Sequence, residues 1–381
     1  MGKTRILVVS QLPPPVHGST VMTQRFMEAL DKCGFDSRIV ERNFSRNQED
    51  VERVTVGKVL KIPALCFRLI KTIVSFRPTI AIFYITVGLG SFLVDCLLLF
   101  ILRIFRVNYI LYMHGRGLDR LGKETVLPLR LIARKTLSSS FGGIVLGESL
   151  KYDVKDYIAD AHLAVLPNGI SDCLRARYIE RKQFRKDGKV NILFLSNLIP
   201  SKGPMTFLQI AKTVIEQEKN VHFIMAGPSD SAIFTDTLKS YIRQNNLEDF
   251  VSMPGGAYGE MKNKLFQEAD IFVFPSSKEA FPVVNLEAMQ WGLPVISTFV
   301  GAIPDAIIDR VNGYLADPQD SAVMASSVLK LIRDPELRRA MGRKGRERFE
   351  QEYSLDAFER KVKETMIFFM ALQEQNRTGV K

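Results

Sequence analysis

The sequence predicts an α/β protein made of two doubly wound domains in tandem, and three observations carry that reading. Short apolar runs alternate with longer amphipathic segments along 381 residues. The runs are continuous in Val, Ile, Leu and Phe, as in strands covered on both faces of a parallel sheet. They fall into two successive series of six, which implies two sheets, each with its own helices. The length agrees, because 381 residues suit two domains of roughly 150–200 each.

In the first series the predicted strands are 6–10, 37–41, 80–85, 109–113, 143–146 and 164–166. In the second they are 191–196, 222–226, 250–253, 271–274, 295–298 and 313–315. The most apolar stretch, 88–113, contains Asp95, Arg103, Arg106 and Asn108. A membrane-spanning helix needs about 20 uninterrupted apolar residues, so this stretch is predicted as a buried helix followed by a strand. Pro167-Asn168-Gly169 and Asp187-Gly188 supply turn chemistry around a charge-dense connection. The domains are therefore placed at 1–172 and 186–352. Residues 353–381 form a last helix, apolar at Leu355, Phe358, Val362, Met366 and Met370, expected to pack back on the first domain.

Composition narrows the classes. Hydrophobic residues make up 46% of the chain, enough for two cores and too many for a disordered protein. Cys33, Cys66, Cys96 and Cys173 are far apart, with no C-x-x-C pair or Cys/His cluster. Neither a disulfide framework nor a zinc site is expected, and a reducing cytoplasm fits. The N-terminus runs directly into the first strand, so no secretory leader is expected.

The net charge of +11 is unevenly placed. Residues 1–185 carry 28 Lys/Arg against 16 Asp/Glu, or +12, and the remainder carries 24 against 25, or −1. A basic first half facing something anionic follows: a membrane surface, a phosphorylated acceptor or a nucleic acid. The segment 56–76 is predicted as a helix with Lys58, Lys61, Arg68 and Lys71 on one arc and Leu60, Leu65, Leu69 and Ile73 elsewhere. The segment 126–137 adds Arg130, Arg134 and Lys135. Such helices either lie on anionic lipid or are ordinary core helices with solvated lysines.

Ligands of open α/β sheets bind beyond the carboxyl ends of the strands, often at helix N-termini. After the first strand, Pro13-Pro14-Pro15 and then Gly18-Ser19-Thr20 lead into a helix. The loop is either a rigid turn or a site whose N–H groups meet a phosphate or a sugar hydroxyl. His114 follows the fourth strand, where structural and functional readings both stand. Lys202-Gly203 follows the first strand of the second domain, and an ammonium there suits a diphosphate.

The strongest segment is 275–294. Glu279 lies in a Pro/Ser loop, Pro282 favours a helix start, and Glu287 falls on the second turn. Two carboxylates around one helix start can accept hydrogen bonds from vicinal hydroxyls. The N–H groups around Phe281 to Val283 would face phosphates. Taken alone, a pair of glutamates is more simply a surface side chain and a helix ion pair. Two other motifs fail. Gly88-Leu89-Gly90 has Leu93 where a dinucleotide fingerprint needs glycine. The phosphate-loop-like run 117–123 is followed by Glu124, which would repel phosphates. No D-x-D occurs, so no carboxylate-held metal is expected.

Together these segments resemble the family 4 retaining glycosyltransferases of the GT-B fold, in which two Rossmann-like domains face a cleft. Glu279 to Met289 resembles that family's E-x7-E motif. The segment 198–203 resembles its diphosphate loop, and Gly292-Leu293-Pro294-Val295 and Asn312-Gly313 follow in order. The amino half matches more loosely, through Gly18, His114-Gly115 and Pro167-Asn168-Gly169. The resemblance implies that Glu279 contacts the donor sugar, Glu287 the ribose and Lys202 the leaving diphosphate. It places Phe281 and Pro282 by sugar and phosphate, Gly18 over the diphosphate, and His114 by the transferred sugar. Asn197 stands where the family usually has Arg, so Lys202 acts alone or another cation such as Arg116 substitutes.

The expected activity is metal-independent, cofactor-free transfer of a sugar, of the hexosyl type, from a nucleotide-diphosphate sugar to a hydroxyl acceptor. The acceptor is expected to be a sugar, lipid-linked or polysaccharide precursor for the cell surface. The expected location is cytoplasmic, peripheral on the inner face of the membrane, without nucleic-acid partners. The rivals are a nucleotide-sugar epimerase on the same plan, a basic nucleic-acid-binding protein and a sugar phosphorylase. The first lacks acid/base groups beyond His114, the second a helix-turn-helix or stacking pattern, and the third a lysine environment suited to pyridoxal.

Overall fold

A computed structural model describes residues 4–14, 18–42, 60–119, 127–174 and 188–378. The chain divides into two compact units: residues 1–168 with 356–381, and residues 169–355. Lys58, the tripeptide 15–17, residues 120–126 with the end of the phosphate-loop-like run, and most of the charge-dense connection lie outside the described residues.

In the first unit the strands β1 (Arg5–Ser10), β2 (Asp36–Glu41), β3 (Ile80–Ile85), β4 (Tyr109–Met113), β5 (Gly142–Val145) and β6 (Leu163–Val165) form one sheet. Their order is β2-β1-β3-β4-β5-β6, with every pairing parallel. The helices α1 (Gly18–Lys32), α2 (Ile62–Phe76), α3 (Leu89–Ile104) and α4 (Leu127–Leu137) connect them. β3 and β4 are buried at every residue, which is why their sequences are continuously apolar. The strand order reverses beside β1, where β2 pairs on one edge and β3 on the other. That is the point at which such sheets open a ligand crevice.

In the second unit the order is β12-β11-β10-β7-β8-β9, again parallel. The strands are β7 (Val190–Leu195), β8 (Val221–Ala226), β9 (Val251–Gly255), β10 (Ile271–Val273), β11 (Val295–Thr298) and β12 (Gly313–Ala316). Helices α5 (Pro204–Ile215), α6 (Ala232–Gln244), α7 (Gly259–Glu268), α8 (Val283–Gln290), α9 (Ile303–Ala306), α10 (Ser321–Arg333) and α11 (Pro335–Glu352) intervene. Side-chain caps from Ser231, Asp320 and Asp334 accept the N–H groups of Phe234, Val323 and Leu337 and start three of them. Phe194, Phe207, Phe223, Phe272 and Phe274 are fully buried in this core, each stabilising the fold by about 1.5–3 kcal/mol through lost apolar exposure.

The last helix, α12 (Leu355–Thr378), buries Phe358, Val362, Met366 and Phe369. Its contacts within the first unit include Thr4 Oγ1 donating to Met370 Sδ at 3.4 Å and Gln373 Nε2 donating to Thr79 O at 3.3 Å. Within the second unit, Arg346 donates to Asp172 at 2.9 Å and to Gln290 O at 2.9 Å. Gln290 Nε2 in turn donates to Ser171 O at 2.6 Å. Cys33, Cys66, Cys96 and Cys173 are free thiols.

One expectation is corrected. The helix over 89–104 is not buried all round: Leu93, Leu97, Phe100 and Ile104 point to solvent. Its apolar content exceeds what one sheet face can cover. No described helix is long and apolar enough to cross a membrane.

Candidate functional site

The second unit brings several of the residues singled out above to the carboxyl ends of β7 and β10. β10 pairs with β7 although 79 residues separate Asn191 from Asp270, so the loops after both strands are neighbours. After β7 the chain makes a turn of 3-10 helix, Pro200–Lys202. Gly203 follows with φ +80°, and a Cβ there would meet Pro275 O at 2.2 Å. Only glycine permits that approach. The two loops are then tied directly. Ser276 Oγ and Ser277 N donate to Ser201 O at 3.0 and 2.9 Å.

This docking places Lys202 Nζ 2.5 Å from Glu279 Oε1, with Ser276 Oγ 3.3 Å from the same oxygen. From below, Thr298 Oγ1 donates to Ser276 O at 2.7 Å and Ala302 N to Ala280 O at 2.7 Å. Gly301, φ +61°, lies so close that a Cβ would meet Glu279 O at 2.3 Å. The carboxylate loop is therefore fixed from three sides before any ligand arrives.

Pro282 is the N-cap of α8, and no side-chain cap closes that end. The helix start presents partial positive charge suited to an anion. Phe281 is buried, its ring 5.7 Å from that of Tyr353, whose hydroxyl donates to Asp305 O at 2.8 Å. Burial pushes the Tyr353 phenol up to about 12. Glu287 does not join the Lys202–Glu279 pair. Its Oε1 accepts from Lys262 Nζ on α7 at 2.6 Å. Asn197 is exposed at the end of β7, with its carbonyl accepting Ile199 N at 2.9 Å. Lys262 had no sequence signal beyond lying in the first turn of a helix that follows a strand.

In the first unit, Gly18 and His114 stand at the ends of β1 and β4, with β3 between them. Gly18 is the exposed first residue of α1, and a Cβ there would meet nothing within 4 Å. The His114 ring stacks on Tyr84 at 4.9 Å and leans on Tyr112 at 4.3 Å. Its Nε2 is buried without a hydrogen-bond partner, and desolvation pushes its pKa down to about 3. It is a neutral imidazole at any physiological pH.

Two carboxylates hold the surrounding loops, and sequence reasoning missed both roles. Asp153 accepts the N–H groups of Gly117, Leu118 and Asp119 at 3.0–3.2 Å, which fixes the loop that leaves His114. Asp95 pairs with Arg42 and accepts from Thr86 N and Oγ1 at 2.8 and 2.7 Å, which fixes the loop after β3. The Gly88-Leu89-Gly90 motif is only the start of α3.

Parts of the chain are similar to known proteins. The family described as "Glycosyl transferases group 1" matches residues 177–348. D-inositol 3-phosphate glycosyltransferase of Segniliparus rotundus is 29% identical over 155 residues, 40% of this chain and 34% of that protein. The capsular polysaccharide biosynthesis glycosyltransferase CapM of Staphylococcus aureus is 25% identical over 225 residues, 55% of this chain and 57% of that protein. Both alignments span less than two thirds of the relative's length. The Anabaena protein Alr3699/HepE, solved in complex with UDP, superposes with TM-score 0.71 at 15% identity, over 95% of this chain and 99% of its own. Two six-stranded parallel α/β units with that likeness define the GT-B fold. Within the second unit, residues 177–348 are similar to the group 1 glycosyltransferases.

Proposed function

We propose that the protein is a retaining glycosyltransferase that moves a sugar from a nucleotide-diphosphate sugar to a hydroxyl acceptor in cell-surface polysaccharide or glycolipid biosynthesis. The observation that carries this reading is the Lys202–Glu279 pair at 2.5 Å, fixed beside the open N-terminus of α8. A carboxylate accepts from sugar hydroxyls, while an ammonium and helix N–H groups neutralise a leaving diphosphate. The capsular polysaccharide relative and the neighbour solved with UDP support the same substrate class.

In this mechanism the sugar–phosphate bond breaks with its electron pair passing to the β-phosphate oxygen. The acceptor hydroxyl attacks from the same face, and its proton goes to that departing oxygen. Lys202 stabilises the charge that develops there. Glu279 orients the sugar and Glu287 the ribose. Because the ammonium and the helix supply the positive potential, turnover requires no metal. The work is assigned to the cytoplasmic side, where nucleotide sugars are made.

The test is Glu279→Ala, assayed with a panel of UDP-, GDP- and ADP-sugars after a thermal-shift screen has found the preferred nucleotide. Loss of transfer with an unchanged melting temperature is expected, and so is full activity of the parent protein in EDTA. Normal turnover by the variant would remove the assignment.

A further inference from the structure

The first unit has an apolar surface that its own core does not use. On α3, Leu93, Leu97, Phe100 and Ile104 recur at intervals of four, three and four residues, which places them on one stripe. Phe100 is 58% exposed and Ile104 61%. α3 packs between α2 and α4, and both neighbours continue the surface. α2 shows Phe67 at 67% exposure and, two turns along the same stripe, Val74, and α4 shows Leu127 at 66% and Leu131. Exposed apolar side chains gathered on three adjacent helices mark an interaction surface.

The charges on the same helices say what covers it. Lys61 and Lys71 flank the α2 stripe, Arg103 the α3 stripe, and Arg130, Arg134 and Lys135 that of α4, all exposed. Between Glu52 and Asp119 the sequence has one acidic residue, Asp95, and between Glu124 and Glu148 it has none. Asp95 is buried against Arg42. The surface is therefore apolar and cationic with no exposed carboxylate among its described residues. A second copy of the chain would bring like charges together across the stripe. A membrane bearing anionic headgroups accepts both properties at once: acyl chains take the apolar side chains, and phosphates take the lysines and arginines.

We infer that the face formed by α2, α3 and α4 docks the protein on an anionic lipid bilayer, with the Leu93–Ile104 stripe entering the interface and the flanking basic residues on the headgroups. The helices lie on the membrane and do not span it. This inference does not rest on the catalytic assignment.

The experiment is flotation of the whole chain with vesicles of phosphatidylcholine, alone or mixed with phosphatidylglycerol. Two variants are compared with the parent: Leu97→Glu with Phe100→Glu, and Arg130→Gln with Arg134→Gln and Lys135→Gln. Every substituted side chain is exposed, and circular dichroism and melting check that the fold is retained. The parent should float with the mixed vesicles and not with phosphatidylcholine alone, and each variant should bind roughly tenfold more weakly. Equal flotation of parent and variants would overturn the inference. So would a parent that is dimeric by light scattering, floats with neither vesicle and becomes monomeric in Leu97→Glu with Phe100→Glu.

Discussion

Lys202 and Glu279 are 77 residues apart in sequence and 2.5 Å apart in space. The pair is partly solvated, and such pairs contribute only about 0–1 kcal/mol to folding. Its cost to catalysis should be far larger, because an ammonium facing a developing phosphate charge is worth roughly 10²–10³ in rate. Lys202→Met is therefore expected to lower kcat/KM by about that factor while leaving the urea midpoint nearly unchanged. A parallel loss of stability and activity would make the pair a structural tie.

Gly203 and Gly18 separate two meanings of a loop glycine. Gly203→Ala must open the contact with Pro275 O or relax φ from +80°. It should destabilise the second unit by about 1–3 kcal/mol and detach Lys202 from Glu279. Gly18→Ala places its methyl in open space at a helix start, so stability should be unchanged or slightly higher. Denaturant titration with activity assays compares the two. Lost activity in Gly18→Ala without lost stability would mean that a ligand needs that space, and full activity would remove Gly18 from the site.

Much of the fold was legible because its strands are buried on both faces, so their apolar runs stand out without any partner being known. All twelve strands fall within about two residues of the runs read from sequence, the usual margin for element ends. The site was legible in its individual residues but not in their pairing. Lys202 meets Glu279 only because β10 sits beside β7, and strand order is not written in either segment. Lys262 reaches Glu287 from a helix 25 residues away, and the carboxylate of Asp153 works from a short 3-10 turn with no helical or strand period. The outward stripe on α3 was misread for a related reason. Hydrophobicity says that a helix avoids water, not how much of it the sheet can cover.

His114 should shape the acid limb of stability. Its folded pKa, lowered to about 3 by burial, lies below the unfolded value near 6.5. Between those values the unfolded chain takes a proton that the folded one refuses, so stability falls as pH drops below about 6.5. The slope is about 1.4 kcal/mol per pH unit, on the order of 2 kcal/mol between pH 7 and 5. His114→Phe keeps the aromatic stack and removes the titration. Its urea midpoint should fall less than the parent's over that interval. Identical pH dependence would mean that the imidazole protonates in the folded state.

Asn285 sits in the first turn of α8, 1% exposed, and neither Oδ1 nor Nδ2 has a hydrogen-bond partner. An amide stranded in a core costs about 1–3 kcal/mol, and its neighbours Leu286 and Met289 are apolar and buried. Asn285→Leu keeps the branching and the number of side-chain heavy atoms while removing both stranded groups. Stability by denaturant titration should rise by about 1–2 kcal/mol. The helix start at Pro282 does not depend on this side chain, so nucleotide affinity should hold. A gain in stability with lost nucleotide affinity would instead give the amide a part in setting the helix that carries Glu287. A loss of stability would mean that the core here has no room for methyl groups.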